Sequence, residues 1–346
     1  MRIAQVAPLY ESVPPALYGG TERIVSHLTE ELVRQGHDVW LFASGDSRTS
    51  AHLVPVTPCA IRLDESCRDS LAAHIVMLEM IAAQQHRFDL IHYHIDYLHF
   101  PLSRRGSTPH ATTLHGRLDL PELQQVYDQF PEMPVISISD AQRQPLPQAR
   151  WLGTVHHGVP PSLYAFSPRS GGYLAFLGRI SPEKRVDRAI EIATHCGRVL
   201  KIAAKVDRVD RDYFEARIKP LLTNPLVEFI GEIGDAQKSA FLGGADALLF
   251  PIDWPEPFGL VVIEAMACGT PVVAFRGGSV AEIIDDEVTG FVVDDIPGAV
   301  SAVERAVALD RHRVRTVFEK RFTAARMAAA YVKLYEQAVV NSAAAA

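Results

Sequence analysis

No lysine occurs in the first 183 residues of this 346-residue chain; Lys184 is the first. Histidine is skewed the other way, with twelve of the fourteen before position 158, so the two halves are expected to do different jobs. Cysteine is scarce: Cys59, Cys67, Cys196 and Cys268 contain no CxxC pair, which argues against a thiolate metal site and for reduced thiols. No apolar run approaches the roughly 18 residues of a membrane span, which excludes integral insertion. Positive charge is also in deficit. The net charge of −7 argues against a nucleic-acid partner. Residues 1–165 hold twelve Arg, no Lys and seventeen Asp plus Glu, a poor electrostatic dock for an anionic membrane. The opening "MRIAQVAPLY" lacks a positive segment followed by a long apolar one, so no secretory signal is read and the cytoplasm is the expected location.

What is present is an ordinary globular composition, 48% hydrophobic and 22% charged, over a length that suits two domains of about 150 residues each. "RIAQVAP", a loop with "YGG", "TERIVSHLTEELVRQGH" and "DVWLFAS" form a β-loop-α-β unit, with Thr21 placed to cap the helix and Gly36 to stop it. Strands are expected again at "LIHYH", "HATTLH" and "PVISIS". "GVPPSLYAFSPRSGG" reads as a connection. A second α/β series follows, with strands at "YLAFLGR", "RVLKIAAK", "VEFIG", "DALLFPI", "PVVAF" and "TGFVVD" and helices between them, including "DYFEARIKPLL". Alternating strands and helices imply α/β architecture: two Rossmann-like domains, 1–160 and 171–325, with parallel sheets facing across a cleft. The amphipathic 326–346 is a helix placed to cross back to the first domain.

Ligands of open parallel sheets sit beyond the carboxyl ends of strands, where helix N-termini present free N–H groups. "DALLFPIDWPEPFGLVVIEAMACGTP" has this form, with a helix opening near Phe258 or Gly259. Glu256 precedes that helix and suits ligand hydroxyls. Glu264 falls on its core face, where an unpartnered carboxylate costs several kcal/mol. Either the vicinal hydroxyls of a ribose or a neighbouring arginine would satisfy it. In "FLGRISPEKRVDRAI" a helix is expected to open at about Pro182, leaving Lys184 in its first turn against the dipole. A polyphosphate would offset that, with Arg179 as a planar fork and Lys184 as a point charge; the alternative is a solvated pair with Glu183. Gly19 and Gly20 in "PPALYGGTER", and Gly277 and Gly278 in "FRGGSVAEI", are either places of close ligand approach or turn glycines. His115 ends a strand in "TTLHGRLD"; His92, His94, Asp96 and His99 crowd "IHYHIDYLH", where hydrogen bonding of substrate by His94 or Asp96 is expected ahead of a zinc site.

Together "GRISPEKRVDRAI", "EPFGLVVIEAMACGTPVVA" and "GGSVAEIIDDEVTGFVV", with the weaker "YGGTERIVSHLTEELVRQGHDV", "HGRLD" and "ISISDAQR", resemble the retaining glycosyltransferases of family 4, which have the GT-B fold. The resemblance spans nearly the whole chain. It implies transfer of a hexosyl group from a nucleotide sugar, a UDP-sugar ahead of GDP-mannose, to a hydroxyl of a small molecule or saccharide. Glu264 would then bind the donor ribose and Glu256 the transferred sugar, aided by the amides of Phe258, Gly259 and Leu260. Arg179 and Lys184 would hold the diphosphate, His115 would lie by the reacting sugar, and Gly19 or Gly20 would shape the loop near phosphate. His94, Asp96 and Arg143 are the candidates for the acceptor. No cofactor or metal is implied. A sugar-nucleotide epimerase or hydrolase on the same fold is the competing reading. The chain departs from the family where Arg185 follows Lys184 in place of glycine, and where "HHGVP" replaces Asn-Gly-Val-Asp.

Overall fold

The computed structural model describes residues 1–16 and 19–345. They form two compact units, Met1–Gly158 together with Ala324–Ala346, and Val159–Thr323.

The first unit is built on seven parallel strands: β1 (Arg2–Val6), β2 (Asp38–Ser44), β3 (His52–Thr57), β4 (Leu90–Tyr93), β5 (His110–Thr113), β6 (Pro134–Ser137) and β7 (Arg150–Thr154). Its helices are α1 (Gly20–Arg34), α2 (Ser70–Gln84), α3 (Phe100–Ser103), α4 (Pro121–Gln129) and α5 (Asp140–Arg143). The strand order β3-β2-β1-β4-β5-β6-β7 reverses direction between β1 and β4. Helix α1 begins differently from the expectation. Gly19, at φ 152°, precedes it with no side-chain cap, and Thr21 is already inside the helix. At its other end Gly36 takes φ 85°, the left-handed stop that glycine permits.

The second unit carries β8 (Tyr173–Arg179), β9 (Val199–Lys205), β10 (Val227–Gly231), β11 (Ala245–Phe250), β12 (Val272–Phe275) and β13 (Gly290–Val293), in the order β10-β9-β8-β11-β12-β13. All six strands lie where the sequence places them. Its helices are α6 (Val186–His195), α7 (Arg211–Tyr213), α8 (Asp235–Gly243), α9 (Leu260–Ala267), α10 (Val280–Ile283), α11 (Ile296–Val307) and α12 (Arg311–Arg321). The single helix expected over "DYFEARIKPLL" is broken. After α7 the chain passes through a π turn at Phe214–Ile218 and a 3-10 turn at Lys219–Thr223, where Pro220 has no N–H to continue an α-helical ladder.

A last helix, α13 (Ala324–Ala345), packs in the first unit against α1, β5 and β7. Leu174, Ile190, Ile202, Leu249 and Val303 anchor the core of the second unit; Phe42, Met77 and Ile91 on one face, and Val25 and Leu41 on the other, anchor that of the first.

Candidate functional site

In the second unit the sheet reverses between β8 and β11, and the residues singled out by the sequence gather beyond these two strands. Parallel sheets bind ligands at such a reversal, because the loops leaving adjacent strands turn to opposite faces and open a crevice. Arg179 ends β8; Lys184 follows in a 3-10 turn over Pro182–Lys184; the loop after β11 carries Glu256. Lys184 pairs through Nζ with Glu256 Oε2, and not with Glu183. Trp254 Nε1–H donates to the same carboxylate oxygen at 2.9 Å, and the lysine cation stands 5.0 Å from the centre of a Trp254 ring. One buried acceptor and one cation are thus fixed side by side.

The helix expected from Pro182 begins later. Arg185 takes a left-handed conformation, φ 51° and ψ 51°, which ends the 3-10 turn, and α6 starts at Val186 with Asp187 in its first turn. Lys184 therefore lies ahead of that helix. That left-handed conformation is one glycine adopts freely, and Arg185 takes it at a cost. A non-glycine residue held left-handed costs roughly 1 kcal/mol or more, and Arg185 is held by Asp187 at 2.9 Å and Asp253 at 2.8 Å.

Arg179 is encircled by acid: Glu183 at 2.5 Å, Asp210 at 3.4 Å and Asp207 at 3.9 Å. A phosphate ligand would have to compete with these carboxylates for the guanidinium.

Helix α9 starts at Leu260, after Gly259 at φ 82°. Glu264 is buried on it, and its Oε1 accepts from Tyr164 OH at 2.7 Å and from Lys238 Nζ at 3.0 Å. The arginine considered as a partner is a lysine, itself paired with Asp235 at 3.3 Å. Arg315 steadies the far side of this contact by donating to the Tyr164 carbonyl at 2.9 Å.

Gly277 and Gly278 pack on the Glu256 loop. A Cβ at Gly278, whose φ is 53°, would lie 2.2 Å from the Glu256 carbonyl oxygen, and one at Gly277 would lie 2.6 Å from that of Trp254. Ser279 completes the strap, its N–H donating to Glu256 O and its hydroxyl to Phe258 O, each at 2.9 Å. These glycines serve close approach of backbone to backbone, which fixes where Glu256 and Phe258 sit.

In the first unit the reversal falls between β1 and β4, and the histidines collect there. His94 is buried, and both its ring nitrogens have protein partners: His115 Nε2 and Gln5 Oε1, each at 2.8 Å. It stands behind His115 with no ring nitrogen left for a substrate. His92 bonds Thr113 Oγ1 at 2.8 Å and Tyr335 OH at 2.7 Å. Burial pushes both imidazoles well below the ordinary histidine range, and pushes His115 down to about 3, so all three are neutral at pH 7. His157 is buried and stacks on His115, 5.4 Å between ring centres. Among the described residues no group of three His, Cys, Asp or Glu side chains stands where it could hold a metal ion.

Asp96 follows β4 at φ 50°; it is solvent-accessible yet crowded by protein, and that crowding raises its carboxyl to about 6. Arg143 lies on α5 with Asp140, Thr154 and the Trp151 ring as its partners. Gly20 opens α1; a Cβ at Gly19 would lie 2.8 Å from Pro15 Cβ. Leu17 and Tyr18 of the same loop lie outside the described residues. Sequence reasoning missed Tyr164, Lys238, Trp254, Gln5 and Tyr335. Only Trp254 had a usable signal, as an aromatic lodged in the loop two residues before Glu256.

Residues 18–151 match the family described as Glycosyltransferase Family 4, and residues 167–315 the family described as Glycosyl transferases group 1. A glycogen synthase of Mycobacterium tuberculosis is 26% identical, over 95% of this chain and 89% of that protein. A GDP-mannose-dependent alpha-(1-6)-phosphatidylinositol dimannoside mannosyltransferase of the same organism is 27% identical, over 91% and 90%. Among solved structures, a glycosyltransferase involved in avilamycin A biosynthesis superposes with a TM-score of 0.76 at 25% identity, over 99% of this chain and 98% of its own.

Proposed function

Because the chain belongs to the GT-B glycosyltransferases that join a family 4 domain to a group 1 domain, we propose that it is a retaining hexosyltransferase. Its donor on this reading is a nucleotide diphosphate sugar, a UDP-sugar ahead of GDP-mannose, and its acceptor a hydroxyl of a soluble small molecule or saccharide. The observation that carries the reading is the pairing of Lys184 with Glu256 beyond β8 and β11, with the buried Glu264 on the helix that follows. On this reading Lys184, from the loop after β8, supplies the cation, while Glu256 and Glu264, along the segment after β11, accept from the sugar and ribose hydroxyls. The GDP-mannose-dependent relative keeps that donor as the second choice.

The chain's part in the reaction is positioning and electrostatic stabilisation. As the sugar–phosphate bond breaks, charge grows on the departing diphosphate, where Lys184 and Arg179 neutralise it, while the amides of Phe258, Gly259 and Leu260 support the transferred sugar. A diphosphate oxygen takes the proton of the acceptor hydroxyl on the face it has just left, and the new bond forms there, so anomeric configuration is retained. No metal enters these steps, and a chelator is expected to leave turnover intact.

A thermal-shift panel of UDP, GDP, ADP and their sugars identifies the donor, since a ligand that binds the native state raises the melting temperature. Glu264→Ala is expected to weaken that donor at least about tenfold, roughly 1.4 kcal/mol. Unchanged affinity would sink the ribose assignment. Anomeric proton couplings in the product test retention. Free or epimerised sugar formed equally fast without an acceptor would establish the hydrolase or epimerase reading instead.

A further inference from the structure

Two buried histidines of the first unit, His92 and His94, belong to one hydrogen-bonded chain running from His115 to α13. His94 bridges His115 and Gln5; the Gln5 amide reaches Tyr335 OH at 3.2 Å; Tyr335 meets His92 Nδ1; His92 Nε2 meets Thr113 Oγ1; and Thr113 donates to Tyr331 OH at 3.1 Å. Neutral imidazole has one donor and one acceptor nitrogen, and a hydroxyl has one proton, so fixing the sense of one link fixes every other. The Gln5 amide is the link whose two ends differ. Its Oε1 faces His94 and can only accept; its NH2 faces Tyr335 and can only donate.

From Oε1 the sense runs back to the reacting end. His94 donates from Nε2 to Gln5, which leaves its Nδ1 as an acceptor, and that nitrogen can be satisfied only by a proton on His115 Nε2. His115 Nδ1 is then a bare lone pair, sequestered from solvent without a hydrogen-bond partner among the described residues. From the amide NH2 the sense runs the other way without conflict: Tyr335 donates to His92 Nδ1, and His92 donates from Nε2 to Thr113. A charged imidazole anywhere in the line would donate from both nitrogens and break it, and burial holds His92, His94 and His115 neutral.

We propose that Gln5 and His94 are positioning residues that lock His115 in its Nε2–H tautomer, leaving Nδ1 as an acceptor for a sugar hydroxyl that displaces what covers it. The inference rests on the glycosyltransferase reading for its ligand but not for its tautomer, and the two are tested apart. In protein labelled with 15N-histidine, long-range proton–nitrogen correlation shows which ring nitrogen carries hydrogen, and a His115→Gln sample identifies the signal. His92, His94 and His115 are expected as Nε2–H. A Nδ1–H tautomer at His115 overturns the proposal.

His94→Leu removes the acceptor and should let His115 interconvert between tautomers. His94→Asn, whose side-chain oxygen reaches about where Nδ1 stood, should restore the single tautomer. A His115 tautomer unchanged in His94→Leu overturns the proposal. If the leucine variant fails to fold, Tyr335→Phe cuts the line farther out; the loosened Gln5 should broaden the His94 signal, and an unbroadened one counts against the relay. With donor and acceptor present, kcat should fall roughly tenfold in His94→Leu at a donor KM within about twofold of wild type, and recover in His94→Asn. An equal loss in both variants overturns the positioning role. If the tautomers behave as stated while no nucleotide sugar perturbs the His115 signal, the relay stands and the reading of its ligand falls.

Discussion

Arg185 marks where backbone conformation and side-chain chemistry pull in different directions. Its left-handed φ is one that glycine adopts freely, while its guanidinium ties Asp187 and Asp253. The two effects are of similar size, so Arg185→Gly should change stability by no more than about 1 kcal/mol in urea unfolding. Arg185→Val, which keeps neither the ion pairs nor a tolerable rotamer at that φ, should fall below the glycine variant by more than about 1 kcal/mol. Lys184 is expected to behave otherwise. Lys184→Ala leaves Trp254 as the remaining side-chain partner of the Glu256 carboxylate among the described residues, and the principal loss should be in kcat rather than in donor affinity, measured by turnover against direct nucleotide titration. Equal stabilities for the two Arg185 variants, or a Lys184→Ala defect confined to affinity, would contradict these assignments.

At the scale of elements, the site is a loop pinned by another loop. Gly278→Ala forces a methyl group onto the Glu256 carbonyl, so the Glu256 segment must shift away from the strap. Donor KM should rise and kcat fall together, because a displacement of about 1 Å in a positioning group costs up to about a hundredfold. Gly116→Ala is the matching control for stability: a Cβ there meets nothing within 4 Å, and its melting temperature should equal that of wild type.

How far the elements could be read from sequence follows their depth. All six residues of β11 are buried, and the apolar run 247–250 announces it. The two strands overlooked, β3 and β7, are the outermost of their sheet, only partly buried, with Pro55 inside one and Gly153 inside the other. Edge strands lack a two-sided core, so the period that marks a strand is weak in them. The site divides in the same manner. Glu256, Glu264 and Lys184 stand within short motifs and were legible. Lys238 is 26 residues from Glu264, Tyr164 is 100 away and Tyr335 is 330 from Gln5, separations that only the folded topology closes.

Over the whole molecule, the skewed histidine content becomes a dependence of stability on pH. His92, His94, His99 and His157 are buried, and burial holds each well below its ordinary range. Unfolded, these side chains take up protons as pH falls below about 6.5; folded, they do not. The unfolded state then binds more protons, so stability is full above about pH 7 and declines as acid is added, each such group approaching a slope of about 1.4 kcal/mol per pH unit. Calorimetry between pH 7.5 and 4.5 should show the first unit losing melting temperature ahead of the second. A melting temperature flat across that range would mean that the histidines are protonated in place.

Helix α13 also fixes an order of assembly. Tyr331 and Tyr335 are wholly buried in the first unit, yet all of Val159–Thr323 is synthesised before them. On the ribosome the second unit emerges as one continuous stretch and can close while the first still lacks two of its largest core side chains and the far end of its histidine line. The usual sequence of events in a two-domain chain, the N-terminal domain folding first, is therefore expected to be reversed here. Nascent chains arrested before Ala324 should resist protease across the second unit and be cut within the first, which makes the beginning of this protein the last part of it to become native.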